Sequence, residues 1–190
     1  MQKFLYRQLM PTDYDEYKRI WLDCLKQHPD NFGATYEEGL HSKSLKLANA
    51  INASDEYNFA FGAFIAGQKL IGLCGLITDP RIKARHRGEI VQVFVDPAYK
   101  GQGIGKKLLQ LSIDKAFANE QTEQIVLSVA SANENAVRLY QRFGFAEYGR
   151  LENFFKSGTE YFTQSFFYLM KRVDACRKYS IQNDFCNNIF

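Results

Sequence analysis

The segment DPAYKGQGIGKKLL, residues 96–109, places three glycines within five positions: Gly101, Gly103 and Gly105. The residues before it, EIVQVFV (89–95), are rich in β-branched side chains and short, so they read as a strand. After it, GKKLLQLSIDKAF sets Leu108, Leu111, Ile113 and Phe117 near helical spacing. The glycines therefore open a helix. A helix start leaves about four backbone N–H groups unpaired and carries about half a positive charge, a combination suited to an anion. Glycine removes the Cβ atoms that would hold a phosphate at a distance. Spacing excludes two familiar phosphate loops. A P-loop anchored on Gly105 and Lys106 requires a glycine at position 100 and a hydroxyl at 107, and both are lysine. A GxGxxG dinucleotide fingerprint requires glycine where Lys106 or Leu108 stands.

With 190 residues, 46% of them apolar, the chain is expected to form one domain with a sizeable core. A net charge of +3 is too mild and dispersed for a nucleic-acid partner, and the basic loop RIKARHR (81–87) has no aromatic platforms. No run approaches the ~20 apolar residues needed to cross a bilayer, so no membrane partner is expected. The N-terminal MQKFLYRQLMP reads as a first strand rather than a leader. Cys24, Cys74, Cys176 and Cys186 form no CxxC or histidine-paired pattern and read as free thiols in a reducing cytoplasm. His28, His41 and His86 are isolated, and no metal site is expected.

Along the chain, residues 12–29 begin with Thr12 as a plausible N-cap and carry Tyr17, Ile20, Trp21, Cys24 and Leu25 on one helical stripe. Residues 31–41 read as a loop, and 42–52 as a shorter helix with Leu45, Ala48 and Ile51 apolar. Three strands then form an antiparallel meander, followed by the glycine loop and its helix. Next come the buried-type strand EQIVLSVA, the helix NENAVRLYQRF and a final hairpin. The order is β-α-α-β-β-β-α-β-α-β-β: an α/β domain over residues 1–172, with residues 173–190 as a tail of no clean period.

Residues 131–145, SANENAVRLYQRFGF, add a second pattern. Ala136, Leu139 and Tyr140 share one helical face, Asn133 stands at an N-cap position, and Gly144 is where a helix needs a left-handed residue to stop. Together the two segments resemble the GNAT N-acetyltransferases. KGQGIG resembles that family's loop, Q/R-x-x-G-x-G-A/G, with Lys100 in the leading position; Asn133, Ala136, Leu139, Tyr140, Gly144 and Phe145 match all fixed positions of N-x-x-A-x-x-L-Y-x-x-x-G-F.

The resemblance implies a mixed, mostly antiparallel sheet of about seven strands flanked by helices, in which the central parallel strands splay apart. It implies acetyl-CoA as co-substrate, an amine as acceptor and N-acetyl transfer by direct attack; the alternative is an acyl-CoA-binding regulatory domain without turnover. A homodimer is compatible with it. By the resemblance, the loop Lys100, Gly101, Gln102, Gly103, Ile104, Gly105 and Lys106 holds the diphosphate. The backbones of Val93 and Val95, with Phe94 between them, pair with the pantetheine amides, and Asn133 caps its helix, contacts pantetheine, or both. Tyr140 directs its hydroxyl at the sulfur. Glu89, expected on the same strand face as Val91 and Val93, is the first choice for a base, or else a solvated strand end. An amine of pKa ~10.4 costs about 4.6 kcal/mol to deprotonate at pH 7, and a carboxylate of ordinary pKa ~4.3 would need burial to serve. The acceptor is expected near Phe32, Tyr36, Tyr57, Phe154, Phe155, Tyr161 and Phe162, and polyamine, amino acid, antibiotic and protein N-terminus all remain open.

Overall fold

A computed structural model describes residues 3–52 and 56–172; the expected tail, with Cys176 and Cys186, lies outside the described residues. A seven-stranded sheet forms the middle layer. It is built from β1 (Leu5–Gln8), β2 (Phe59–Phe64), β3 (Leu70–Thr78), β4 (Arg87–Val95), β5 (Gln124–Ala130), β6 (Ala146–Ser157) and β7 (Glu160–Met170), in spatial order β1-β2-β3-β4-β5-β7-β6. Every neighbouring pair is antiparallel except β4 with β5, which is parallel. The helices are α1 (Tyr14–Gln27), α2 (Tyr36–His41), α3 (Ala48–Asn52), α4 (Ile104–Ala118) and α5 (Glu134–Arg142).

The apolar stripe of α1 is buried as its spacing predicts, and it packs with Leu70, Leu73, Val91 and Phe94 on one face of the sheet. On the other face, Ile104, Leu108, Leu109 and Ile113 of α4 pack with Ile71, Cys74, Leu76 and Ile90. Each fully buried side chain of this kind contributes about 1.5–3 kcal/mol, so the start of α4 is pinned by its own core residues.

Three local expectations are corrected. Asp13 rather than Thr12 precedes α1; its carboxylate accepts from the Met10 N–H at 2.8 Å and pairs with Arg7. The 31–41 stretch contains α2, started by a reciprocal capping box in which Thr35 Oγ1 accepts from the Glu38 N–H and Glu38 accepts from the Thr35 N–H. The helix expected over 42–52 is confined to α3, because Leu45 and Leu47 reach the core from the loop before it.

Two irregularities in β4 set the shape of the sheet's centre. Its parallel pairing with β5 covers Arg87↔Gln124, Gly88↔Ile125 and Glu89↔Val126 and then stops, whereas β5 stays paired with β7 through Ala130. Against β3, the register jumps from Gly75↔Val91 to Leu73↔Phe94, so two β4 residues oppose Cys74 alone. That is a β-bulge, and Gln92 within it has φ +53°. The extra residue inverts the alternation. Val91 and Phe94 pack on the α1 face, while Ile90, Val93 and Val95 pack on the α4 face. Val93 is therefore not on the same face as Glu89 and Val91, which corrects the alternation expected of an unbroken strand.

Candidate active site

The glycine loop enters α4 through a left-handed turn. Gly101 has φ +82° and Gly103, the N-cap, has φ +76°, values that disfavour any side chain. A Cβ at either glycine would meet nothing within 4 Å. Their bareness therefore clears space in front of the loop rather than relieving contact behind it. Lys107 donates to Gly103 O at 3.0 Å, and the amides of the turn before it have no intrahelical acceptor. They border a pocket of about 410 Å³ whose charged lining is Lys100, Lys106, Arg138 and Arg142, with no acidic residue among the lining side chains. Arg138 and Arg142, one turn apart on α5, were not singled out from sequence. Their i,i+4 spacing is visible there, but only packing of α5 beside the α4 start brings them to the loop.

A second cavity, of about 400 Å³, opens where β4 and β5 part. Glu89 through Val93 form one wall, Ser128 and Val129 of β5 another, and Asn133, Ala136 and Tyr140 of α5 a third. Trp21, Phe32 and Phe155 enclose its far end. Successive residues of the same elements continue into the first pocket: Val93 and Ala136 line the cleft, Val95 and Leu139 the glycine pocket. A long ligand with an anionic end can thus lie along β4 and α5.

Within this frame, Gly101, Gly103, Ile104, Gly105, Lys100, Lys106 and Val95 line the pocket, and Glu89, Val93, Asn133 and Tyr140 line the cleft. Gln102 lies in the loop without lining either cavity, and Phe94 turns to the α1 face, where His28 meets its ring edge-on at 5.9 Å. Asn133 caps α5, its side chain accepting from the Ala136 N–H at 3.2 Å. Gly144, φ +88°, ends that helix, and Phe145 N–H returns to Tyr140 O at 3.1 Å. Of the aromatic residues expected near an acceptor, Phe32 and Phe155 line the cleft and the other five do not.

Tyr140 is 5% exposed, its ring packed edge-on against Phe145. Burial, with the nearby Cys74, raises its hydroxyl pKa above the ordinary phenol value, so it is protonated at neutral pH. Among the described residues no side chain hydrogen-bonds to that hydroxyl. Burial pushes the Cys74 thiol up to about 12 and raises the Cys24 thiol as well, so neither is a ready thiolate. Glu89 stands half-exposed at the cleft wall. Its side chain is 44% exposed and lies 3.5 Å from Lys46 Nζ. Gln92, overlooked in the sequence, is 9% exposed and lines the cleft in a strained left-handed conformation. Such strain costs on the order of 1–3 kcal/mol and concentrates at functional sites. Among the described residues no group of three or more His, Cys, Asp or Glu could hold a metal ion, and no helix is long and apolar enough to cross a membrane.

Residues 14–145 match the sequence profile of the Acetyltransferase (GNAT) family. The chain is 40% identical over 76 residues to N-alpha-acetyltransferase 30 of Schizosaccharomyces pombe, covering 40% of this chain and 50% of that one. It is 32% identical over 123 residues to spermidine N(1)-acetyltransferase of Vibrio cholerae, covering 64% and 62%. The matches thus span about half to three-fifths of these relatives' own lengths. Its fold is shared with a putative acetyltransferase from Salmonella typhimurium solved with its cofactor acetyl-CoA, at TM-score 0.71 and 19% identity over 92% of this chain and 99% of that one. Profile match and shared fold, on a chain whose glycine loop and parted strands stand where the family's motifs fall, place it among the GNAT acetyltransferases, and the chain belongs to that family.

Proposed function

We propose that this chain transfers the acetyl group of acetyl-CoA to a primary amine of a small molecule or peptide by direct attack. One observation carries the reading: pairing of β4 with β5 stops at Glu89 and Val126, and the gap joins a cationic glycine pocket to a cleft holding Tyr140. The residues fit the co-substrate. A diphosphate needs bare amides and positive charge, and the positions where Cβ atoms of Gly101 and Gly103 would stand are open, amid four cationic side chains.

When bound, acetyl-CoA supplies an acetyl group activated as a thioester. Transfer forms an amide bond, breaks the C–S bond and moves one proton from nitrogen towards sulfur. In this reading Lys100 and the 101–106 backbone hold the diphosphate. Val93 and Val95, unpaired on the β5 side, offer backbone groups to the pantetheine amides as a sheet edge does to an added strand. Phe94 seats that segment in the core and Asn133 fixes the start of α5 at the cleft. Tyr140, kept protonated by burial, donates to the departing sulfur. Glu89, half-exposed at the cleft wall, holds the incoming ammonium by its charge, and the amine proton leaves through water in the cleft.

The activities named for the two relatives suggest two acceptors to try, a polyamine and a protein N-terminus. Calorimetry with acetyl-CoA, followed by thiol release with spermidine and with a short unblocked peptide, tests the reading. Binding with release on at least one acceptor, and slower release in Glu89→Gln, is the expected result. Binding with no release across a wider amine panel supports the regulatory alternative instead; no binding overturns both.

A further inference from the structure

Tyr17 of α1 and Gln92 of the β4 bulge are 75 residues apart in sequence and hydrogen-bonded at 3.0 Å in the interior, between the Tyr17 hydroxyl and Gln92 Oε1. The same hydroxyl oxygen accepts from the Leu47 N–H at 3.2 Å. This pair of contacts settles which way the carboxamide faces. A phenol has one proton to give. Its oxygen is already taken by the Leu47 amide, so the proton goes to an acceptor, and Oε1 is the acceptor in reach. A flipped carboxamide would bring a second donor to the phenol and leave its proton without a partner in a buried site.

Gln92 Nε2 is consequently the end left over, and among the described residues nothing accepts from it. The residue is 9% exposed and lines the cleft, and Ser112 Oγ is the one sealed side-chain polar atom without a partner among the described residues, so Nε2 keeps its access to the cleft. A donor held this way at the cleft wall, on a residue whose φ of +53° is itself strained, is positioned to meet an oxygen acceptor brought by a ligand.

Resting on the acetyl-transfer reading, we propose that Gln92 is a substrate-contacting residue whose Nε2–H donates to a carbonyl oxygen bound in the cleft, with Tyr17 as the residue that positions it. Two carbonyls present this chemistry: that of the thioester and that of an acceptor whose amine is followed by an amide, as at a peptide N-terminus. Spermidine has no carbonyl and separates the two.

The variants are Gln92→Met, which keeps length without a donor, Gln92→Gly, which relieves the backbone as well, and Tyr17→Phe, which frees the carboxamide to turn. Thermal unfolding establishes that each is folded. The first measurement needs no turnover: the carbonyl 13C shift of acetyl-CoA labelled at that carbon, in complex with each protein. The second is kcat and KM with spermidine and with a short unblocked peptide. For contact with the thioester, the bound carbonyl shift moves back toward its free value in both Gln92 variants, and turnover falls about tenfold on both acceptors. For contact with the acceptor, the shift is unchanged and the peptide alone loses about tenfold in kcat/KM. In either case Tyr17→Phe gives a smaller change of the same kind. The assignment is overturned by an unchanged shift with unchanged kinetics, by an unchanged shift where neither acceptor turns over, or by a loss in Gln92→Met that Gln92→Gly restores, since that traces the effect to the backbone. Failure of wild type to bind acetyl-CoA removes the underlying reading, and this one with it.

Discussion

Glu89 and Val126 are the last residues that β4 and β5 pair across their parallel ladder. The physical cause lies three to four residues further on, at Gln92 and Val93. β4 carries an extra residue opposite Cys74, and a bulge bends its strand and increases the local twist. β5 has no such insertion and stays with β7 through Ala130. One strand bends and the other does not, so the ladder opens into the cleft between them.

Because a Cβ at Gly103 would project into open space, substitution there acts on the ligand more than on the fold. Gly103→Ala is expected to lower stability by about 1 kcal/mol from its positive φ alone. Gly103→Asp, which adds a negative charge where a diphosphate would sit, is expected to weaken acetyl-CoA by tenfold or more, about 1.4 kcal/mol or above. Calorimetry beside urea unfolding separates the two effects, and equal affinity in both variants would remove the loop from the site.

Tyr140→Phe keeps the ring contacts with Phe145 and Phe167 and deletes a hydroxyl that bonds no described side chain. Stability is expected to change by less than about 0.5 kcal/mol. Turnover is expected to fall about 10²-fold, the scale of losing one positioned proton donor. Full turnover in this variant would assign the sulfur's proton to another source.

Gly33 faces the ring of Phe155, and a Cβ there would come within 2.5 Å of Cζ. Phe155 also lines the cleft at its aromatic end, away from the glycine pocket. Gly33→Ala is expected to push that ring aside, raising KM for the acceptor several-fold while acetyl-CoA affinity is unchanged. A parallel loss in both affinities would contradict the division of the site into two ends.

Burial pushes the Tyr17 hydroxyl up to about 12 from the ordinary phenol value of 10.0. A raised phenol leaves stability untouched below pH 10. As pH climbs from about 10 to about 12, the unfolded chain releases this proton first and the folded state loses about 2–3 kcal/mol. Urea midpoints at pH 9 and pH 11.5 should show this fall in wild type and a shallower one in Tyr17→Phe. Identical slopes would place the alkaline sensitivity on other groups.

Much of the site was legible because its parts are local. KGQGIG demands left-handed backbone at a helix start, and N-x-x-A-x-x-L-Y-x-x-x-G-F encodes a capped helix with its stop. α2 was missed although Thr35 and Glu38 spell its capping box, since six residues are too few for an apolar period to show. Glu89 was legible as a residue at the site but not as a half-exposed partner of Lys46, since Lys46 reaches it from a loop 43 positions away in sequence.

What the sequence determined by itself is the pair of backbone devices, glycine loop and capped helix, because each is fixed by conformational preferences within a dozen residues. What only the tertiary structure decided is the bulge at Gln92, the parting of β4 from β5, the meeting of Arg138 and Arg142 with the loop, and the direction in which Tyr17 turns the Gln92 carboxamide. EIVQVFV reads as an unbroken strand, and its extra residue becomes visible only against the register of β3. Register and cross-sheet contact join residues distant along the chain, so their outcome depends on how whole faces pack, which no local pattern contains.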